Sequence, residues 1–190
     1  ERADSILAPA FGDFHTASHM ASQDLDKARA LLSEAGHGDG LDIQLEYSDN
    51  WWWEEPLVIQ AKDSLAKVGI NVSLKRIPKA EMNSRRRAGT RDIPFFPHLA
   101  NAFVLAPGYA FYLSAHQAGS SNVNDYKSEM FDSTVDELIA ETDNAKRVEL
   151  AKKAQKIHAD DATFVITHFP KTYAVTTPCI TGWLWHQHDR

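Results

Sequence analysis

A change of hydrophobic period within residues 40–78 constrains the fold of this chain more than any other feature of its sequence. Apolar and polar residues alternate over residues 41–47, which is the period of a β-strand. From Pro56 onward the apolar residues instead follow one face of an amphipathic helix, which Gly69 ends in a position that favours a left-handed conformation. Residues 70–77 then resume the alternation. Two strands joined by a helix of this length predict a parallel pair with a right-handed crossover.

Three consecutive tryptophans, Trp51, Trp52 and Trp53, follow the first predicted strand. In open α/β sheets, ligands bind beyond the carboxyl ends of the strands, which is where these side chains lie in the sequence. They are therefore candidates for an apolar ligand wall, with Asn50 as a polar partner. In the alternative interpretation, one or two of them pack on the core and one is exposed. We favour the ligand wall, because three exposed tryptophans without a partner would promote aggregation.

Composition and charge narrow the class of protein. The 190 residues, 43% of them hydrophobic, suit one globular domain or one domain with an appendage. A net charge of −6 argues against nucleic acid as a partner. The basic run at residues 85–87 is interpreted as a solvated helix end. The single cysteine, Cys179, excludes an internal disulfide, and no apolar run approaches the length of a transmembrane helix.

The remaining pattern predicts an α/β fold with a mainly parallel sheet flanked by helices. Before the central unit, residues 1–23 are expected to be an irregular lead-in, followed by a helix at 25–35 that Asp24 or Asp26 caps and that turns Leu31 and Leu32 inward. After the unit we expect a helix at 79–88 and an edge or interrupted strand at 91–102, because Pro94 and Pro97 lie within it.

The second half of the chain begins with its most aromatic and least periodic segment, residues 103–130, which includes Phe103 and Tyr109. It is either a surface loop that carries functional aromatics or a minor hydrophobic cluster, with a short helix at 109–114. Further helices are predicted at 133–141 and 144–161, the first with Val135, Leu138 and Ile139 inward. Short strands are predicted at 163–167 and 171–176.

Signatures of catalysis or cofactor binding are weak. The pair His186 and His188 could chelate a metal, but such a site needs three or four ligands, so a frayed tail is preferred. The sequence contains no nucleophile elbow, no dinucleotide-binding motif and no phosphate loop. The adjacent acids Glu54 and Glu55 point apart on a helix and do not make an acid/base pair. We therefore expect no cofactor, no metal and no enzyme, and we keep a small independent α/β hydrolase-like enzyme as the alternative.

Several segments in series resemble a known family. The segments DLDKARALLSEAG, LDIQLEY and IQAKDSLAKVGINVSLKRI are similar to the C-terminal lobe of the family 5 extracellular solute-binding proteins of ABC importers, the peptide, nickel and opine cluster. Residues 133–183 resemble the end of that family, where a helix pair precedes a short apolar strand, a basic-aromatic strand and a Gly-aromatic pair. The resemblance covers most of residues 24–186.

The resemblance implies a periplasmic-binding-protein-like (type II) lobe at residues 24–162, with residues 163–190 packing against an N-terminal lobe that is missing here. It implies a small-molecule solute as ligand, the permease subunits of an ABC transporter as partners, and a periplasmic or extracellular location with or without a membrane anchor. It also implies that this chain is a fragment, and that a lone lobe binds its solute weakly.

The resemblance bears on the ligand as well. Peptide-binding members carry an acidic residue just before an Asp-Pro pair, and that carboxylate holds the amino group of the peptide. Here the corresponding pair is Ala106-Pro107, and residues 101–105 contain no acid. We therefore expect a sugar derivative, an opine-like compound or another amphipathic solute rather than a peptide held by its N-terminus. Asn101, Phe103 and Tyr109 are candidate ligand-binding residues beside Trp52.

Overall fold

The structure, a computed structural model, describes residues 3, 5–17, 22–48, 54–88, 106–119, 126–162, 165–169 and 177–179. The chain divides into two compact units. One spans Ser22–Leu99 and is called the sheet unit, and the other combines Glu1–Ala21 with Ala100–Arg190 and is called the helical unit. Among the described helices, none combines the length and the apolar character that a membrane span requires.

The sheet unit contains, in order, α1 (Leu25–Glu34), β1 (Leu41–Ser48), α2 (Glu54–Ala66), β2 (Ile70–Ile77) and α3 (Lys79–Ala88). The two strands pair in parallel, from Leu41 opposite Ile70 to Ser48 opposite Ile77, which confirms the predicted strand–helix–strand unit. Gly69 has a φ of 88° and Gly40 a φ of 111°, and both values lie in the left-handed region that glycine adopts without strain.

One face of the strand pair packs against α2. The buried residues Leu45, Tyr47, Val58 and Val72 form its core, and the half-buried Ala61 and Leu65 lie on the same face of α2. In α1 the predicted cap is confirmed, since Asp24 accepts a hydrogen bond of 2.9 Å from the backbone nitrogen of Lys27. The prediction that Leu31 points inward is wrong, because its side chain is 53% exposed. Leu32 is half-buried.

The helical unit contains a 3-10 helix (Pro9–Phe14), α4 (Pro107–Ser114), α5 (Glu129–Ala140) and α6 (Asn144–Asp160). Its core is built on Phe111 and Phe131, whose rings meet edge to face at 6.0 Å. Further buried apolar side chains surround this pair: Leu7, Val135, Leu138, Ala151, Ala154 and Ile157. The prediction for Ile139 is wrong, since that side chain is 39% exposed.

The ends of the chain contribute to the helical unit. Ser5 donates a hydrogen bond to the buried side chain of Gln155, and the backbone nitrogen of Ala3 donates to Thr167 at 3.2 Å. The described part of the predicted strand at 163–167 is not a regular strand, and Val165 is 87% exposed, so it has no apolar surface to pair with in the described part of the chain. The strands predicted at 91–102 and 171–176 lie outside the described residues.

Candidate functional site

The carboxyl end of β1 is fastened to the start of α2 by a buried hydrogen bond. The backbone nitrogen of Ser48 donates to Glu54 Oε2 at 2.7 Å, and both residues are 3% exposed. The buried carboxylate accepts from a backbone N–H at the end of the strand, and burial of that N–H without an acceptor would be costly. The contact fixes the two positions that flank residues 49–53. The predicted wall residues Asn50, Trp51, Trp52 and Trp53 themselves lie outside the described residues.

A second carboxylate, Glu46, is also buried near this end of the strand. Its oxygens accept from Lys75 Nζ at 2.8 Å and from Arg85 Nη1 at 3.1 Å, and Arg85 pairs in addition with Glu81. The ion pairs join β1, β2 and α3 around one buried charge. The interpretation of the basic run as a solvated helix end is therefore wrong for Arg85, whose side chain is mostly buried.

The neighbouring acids at the start of α2 accept from different donors. Glu54 accepts from Ser48, as described above, whereas Glu55 accepts from the hydroxyl of Tyr47 at 3.2 Å. Burial, and secondarily the charge of Glu55, raise the pKa of the Tyr47 hydroxyl. Both carboxylates thus serve to position the carboxyl end of the sheet.

Tyr109 is the one predicted ligand-binding residue that lies among the described ones. It stands in the first turn of α4, where its side chain is 54% exposed. Its ring meets the ring of Tyr112 edge to face, with centroids 6.5 Å apart. Exposure leaves the ring available to a ligand. Asn101 and Phe103 lie outside the described residues, so their proximity to Tyr109 stays a prediction.

A cluster that the sequence did not reveal lies where α4 ends. His116 stacks on Tyr112 with ring centroids 4.7 Å apart. Its Nε2 lies 3.5 Å from Asp136 Oδ1 and 3.9 Å from Asp132 Oδ1. The two acids stand one helical turn apart on α5, a spacing that could have suggested a shared face. No sequence signal joined them to a histidine sixteen or more residues away.

The described residues contain no metal-binding cluster, and their one cysteine lies at the surface. Within the described ranges, no three His, Cys, Asp or Glu side chains are arranged to hold a metal ion. Cys179 is an exposed free thiol. His186 and His188 lie outside the described residues.

A sequence profile and a related protein both assign the chain to one family. The sequence profile described as "Bacterial extracellular solute-binding proteins, family 5 Middle" matches residues 1–122. A probable D,D-dipeptide-binding periplasmic protein, DdpA of Escherichia coli, is 30% identical over 131 residues, which are 67% of this chain and 25% of that protein.

Solved structures share the fold. The periplasmic binding protein DppA of Helicobacter pylori, in complex with the peptide STSA, superposes with a TM-score of 0.78 at 21% identity over 88% of this chain and 33% of that one. The binding protein AgaA of A. tumefaciens, in complex with agropinic acid, gives 0.75 at 19% identity over 88% and 35%. This chain therefore spans about a quarter to a third of the proteins that it matches. These relatives are binding proteins, and the predicted fold class is confirmed.

Proposed function

Because the chain belongs to the bacterial extracellular solute-binding proteins of family 5, we propose that it forms one wall of a solute-binding cleft in a longer protein that serves an ABC importer. The observation that carries the proposal is the family match over residues 1–122, together with a fold shared with binding proteins of this class. Solute capture would follow hinge closure of two lobes, which excludes water around the ligand. Assignment to the C-terminal lobe is part of this proposal.

The residues proposed to contact the solute come from two stretches of the sequence: the segment after β1, and the aromatic segment that precedes and enters α4. Support comes from the rigid base that Ser48 and Glu54 provide and from the exposed ring of Tyr109. A pocket of aromatic side chains with a few polar groups suits a small amphipathic solute. The residues proposed to contact the solute are Asn50, Trp51, Trp52, Trp53, Asn101, Phe103 and Tyr109.

The domain division, the partners and the location follow from the same proposal. Residues 24–162 would form the lobe, residues 1–23 would lead into it, and residues 163–190 would pack with the remaining lobe. The exposed Val165 is consistent with such a missing neighbour. The permease subunits of an ABC transporter would receive the solute. The protein would act outside the cytoplasm, as the relatives described as periplasmic do. Catalysis is not part of the proposal, since the relatives are binding proteins.

The proposed ligand is not a peptide held by its N-terminus, because residues 101–105 offer no carboxylate to an ammonium group. A buried ammonium without a counter-charge would cost several kcal/mol. A ring face in its place contributes only about 0.5–2 kcal/mol. The related folds hold a peptide in one case and agropinic acid in another, so the fold itself does not select between these classes.

A thermal-shift panel on the full-length protein tests both the function and the ligand class. We expect an opine-like or sugar-derived solute to raise the melting temperature, and the substitution Trp52→Ala to reduce that shift. Stabilisation by di- and tripeptides with free amines, but not by their N-acetylated forms, would contradict the ligand class. If no solute of any class stabilises the protein, the function itself is contradicted.

A further inference from the structure

Two nested hydrogen bonds join the carboxyl end of β1 to the first turn of α2. The backbone nitrogen of Ser48 donates to Glu54 Oε2 at 2.7 Å, and the hydroxyl of Tyr47 donates to Glu55 Oε1 at 3.2 Å. The last two residues of the strand are thus bonded to the first two residues of the helix. We call these two contacts the strand–helix clamp. Residues 49–53 are the part of the sequence that it encloses.

Both sides of the strand–helix clamp belong to packed elements of the sheet unit. Ser48 forms the last pair of the parallel sheet, opposite Ile77, and each of these residues is 3% exposed. The ring of Tyr47 lies in the apolar cluster of the unit, to which Val58 contributes from the second turn of α2. The clamp therefore joins two elements that already pack against each other, and packing supports its hydrogen bonds at both ends.

Glu54 forms the shorter and more buried contact of the strand–helix clamp. It is 3% exposed, whereas Glu55 is exposed and accepts the longer hydrogen bond. The donor to Glu54 is a buried backbone N–H, and a substitution that removes the carboxyl group takes an acceptor away from it. Glutamine keeps an oxygen that can accept the same hydrogen bond, whereas leucine has a similar size and no acceptor. These two substitutions therefore separate the hydrogen bond from the volume of the side chain.

The strand–helix clamp bears on the short segment between its two ends. A chain segment with fixed ends has fewer conformations than one with free ends. Restriction of this kind favours binding, because a side chain that is already ordered loses less conformational entropy when a ligand binds. Residues 49–53 include Asn50 and the three tryptophans of the proposed wall. A contact with only a structural role would instead add to stability and leave the order of this segment unchanged.

We propose that Glu54 is a positioning residue for solute binding. Through its hydrogen bond to Ser48 it restricts residues 49–53, so that the proposed wall residues in this segment bind the solute with a smaller loss of conformational entropy. The carboxyl group of Glu54 is buried against the end of β1, and it acts through its neighbours rather than by contact with the solute. The inference rests on the proposed function and adds to it the residue that orders one part of the wall.

The restriction is measured without a solute, by 15N relaxation of the backbone amides in the full 190-residue chain. We expect Glu54→Leu to lower the order parameters of residues 49–53 by about 0.2, roughly the difference between rigid and flexible backbone, and Glu54→Gln to retain the values of the parent chain. If Glu54→Leu does not fold, Glu54→Ala takes its place under the same criteria.

Val72→Ala is the matched control for these variants, because it removes volume from the same apolar cluster at a residue that pairs with Ile43, away from the strand–helix clamp. It should lower the melting temperature and leave the order parameters of residues 49–53 unchanged. Unchanged order parameters in Glu54→Leu, or an equal fall in Val72→Ala, would overturn the proposal.

The consequence for binding is measured on the full-length protein with the thermal-shift panel of opines, sugar derivatives, and di- and tripeptides. For each compound that stabilises the parent, Glu54→Leu should raise the concentration needed for an equal shift about three- to tenfold, as the ordering of one further side chain implies. Glu54→Gln and Val72→Ala should need the same concentration as the parent. An unchanged concentration for Glu54→Leu would refute the positioning role and leave the proposed function intact. If no compound stabilises the parent, the proposed function fails and the positioning role fails with it.

Discussion

The two units are stabilised in different ways. In the helical unit, aromatic and aliphatic side chains from three helices and the N-terminal segment are packed around Phe111 and Phe131. The described part of the sheet unit has a smaller apolar core cluster, formed by Leu45, Tyr47, Val58 and Val72, and its buried polar side chains, Glu46, Ser48 and Glu54, gather at the carboxyl end of β1. The helical unit also buries polar side chains, among them Gln155 and Asp132, beside its larger apolar core. A substitution in an apolar core lowers stability mainly when it changes the side-chain volume. A substitution in a buried polar contact lowers stability when it removes either partner.

This difference matches the proposed roles. A ligand wall needs side chains held in fixed positions at a surface, and hydrogen bonds and ion pairs fix orientation more precisely than dispersion contacts do. Two of the buried polar groups of the sheet unit, Ser48 and Glu54, flank residues 49–53 in the sequence, the segment of the proposed tryptophan wall. The helical unit provides a packed scaffold for α4, on which Tyr109 is presented.

Truncation of the central aromatic residue should give the largest effect. Phe131→Ala is expected to lower the free energy of unfolding by about 3–5 kcal/mol, because it removes ring contacts with Phe111, Tyr126 and His158 and leaves a cavity. Urea denaturation measures the loss, and hydrogen exchange should locate it in α5 and α6. The adjacent, exposed Met130 is the control, since Met130→Ala should change stability by less than about 0.5 kcal/mol. Similar losses for both variants would show that the apolar core is misassigned.

The helical unit should also be sensitive to acid through one histidine. Burial against Tyr126 and Phe131 lowers the pKa of His158 to about 4 from an ordinary value of 6.5. The folded protein thus resists protonation of this ring, whereas the unfolded chain accepts the proton below pH 6.5. The stabilisation is therefore complete above pH 6.5 and is lost as the pH falls toward 4, at about 1.4 kcal/mol per pH unit and roughly 3 kcal/mol in total.

Chemical denaturation at a series of pH values between 7 and 4 measures this slope. His158→Gln should flatten the slope even if it lowers stability at neutral pH. His37, which is exposed, provides the control, and His37→Gln should leave the slope as it is in the parent chain. An unchanged slope in the His158 variant would assign the acid sensitivity to other groups.

The substitution in the sheet unit that corresponds to Phe131→Ala removes a buried charge rather than side-chain volume. Glu46→Gln is expected to lower the free energy of unfolding by about 2 kcal/mol, because Lys75 and Arg85 lose the buried carboxylate that they share. The effect is smaller than for a fully buried pair, since Lys75 is 45% exposed. Asp42→Asn, at the exposed start of the same strand, should cost less than about 0.5 kcal/mol. Equal costs would indicate that the Glu46 cluster contributes no more than a surface charge.

Local patterns in the sequence predicted most of the described elements. Three of these patterns are local in the sequence: the alternation in β1 and β2, the glycine between α2 and β2, and the cap at Asp24. The structure contains all three features. The sequence pattern predicts that α5 begins at Ser133, four residues later than its start at Glu129. The true cap is Ser128, which accepts from the backbone nitrogen of Phe131 at 3.3 Å, and an isolated serine is a weak signal.

The polar contacts of the candidate sites could not be predicted in the same way. Alternation assigns Glu46 to the solvent face of β1, but in the structure Glu46 is buried and pairs with Lys75 of β2 and Arg85 of α3. The pairing of His116 with Asp132 and Asp136 depends on how α4 and α5 pack, which a local period does not encode. The exposure of Leu31 has the same origin, because an amphipathic pattern does not state which part of a face a neighbour covers.

The most direct test of the central claim compares solute binding by the full-length protein and by this chain alone, using isothermal titration calorimetry. If the chain forms one wall of a two-lobed cleft, the full-length protein should bind its solute at micromolar or lower concentration, and the isolated chain should bind it far more weakly, because half of the contacts are missing. Micromolar binding by the isolated chain would contradict the account.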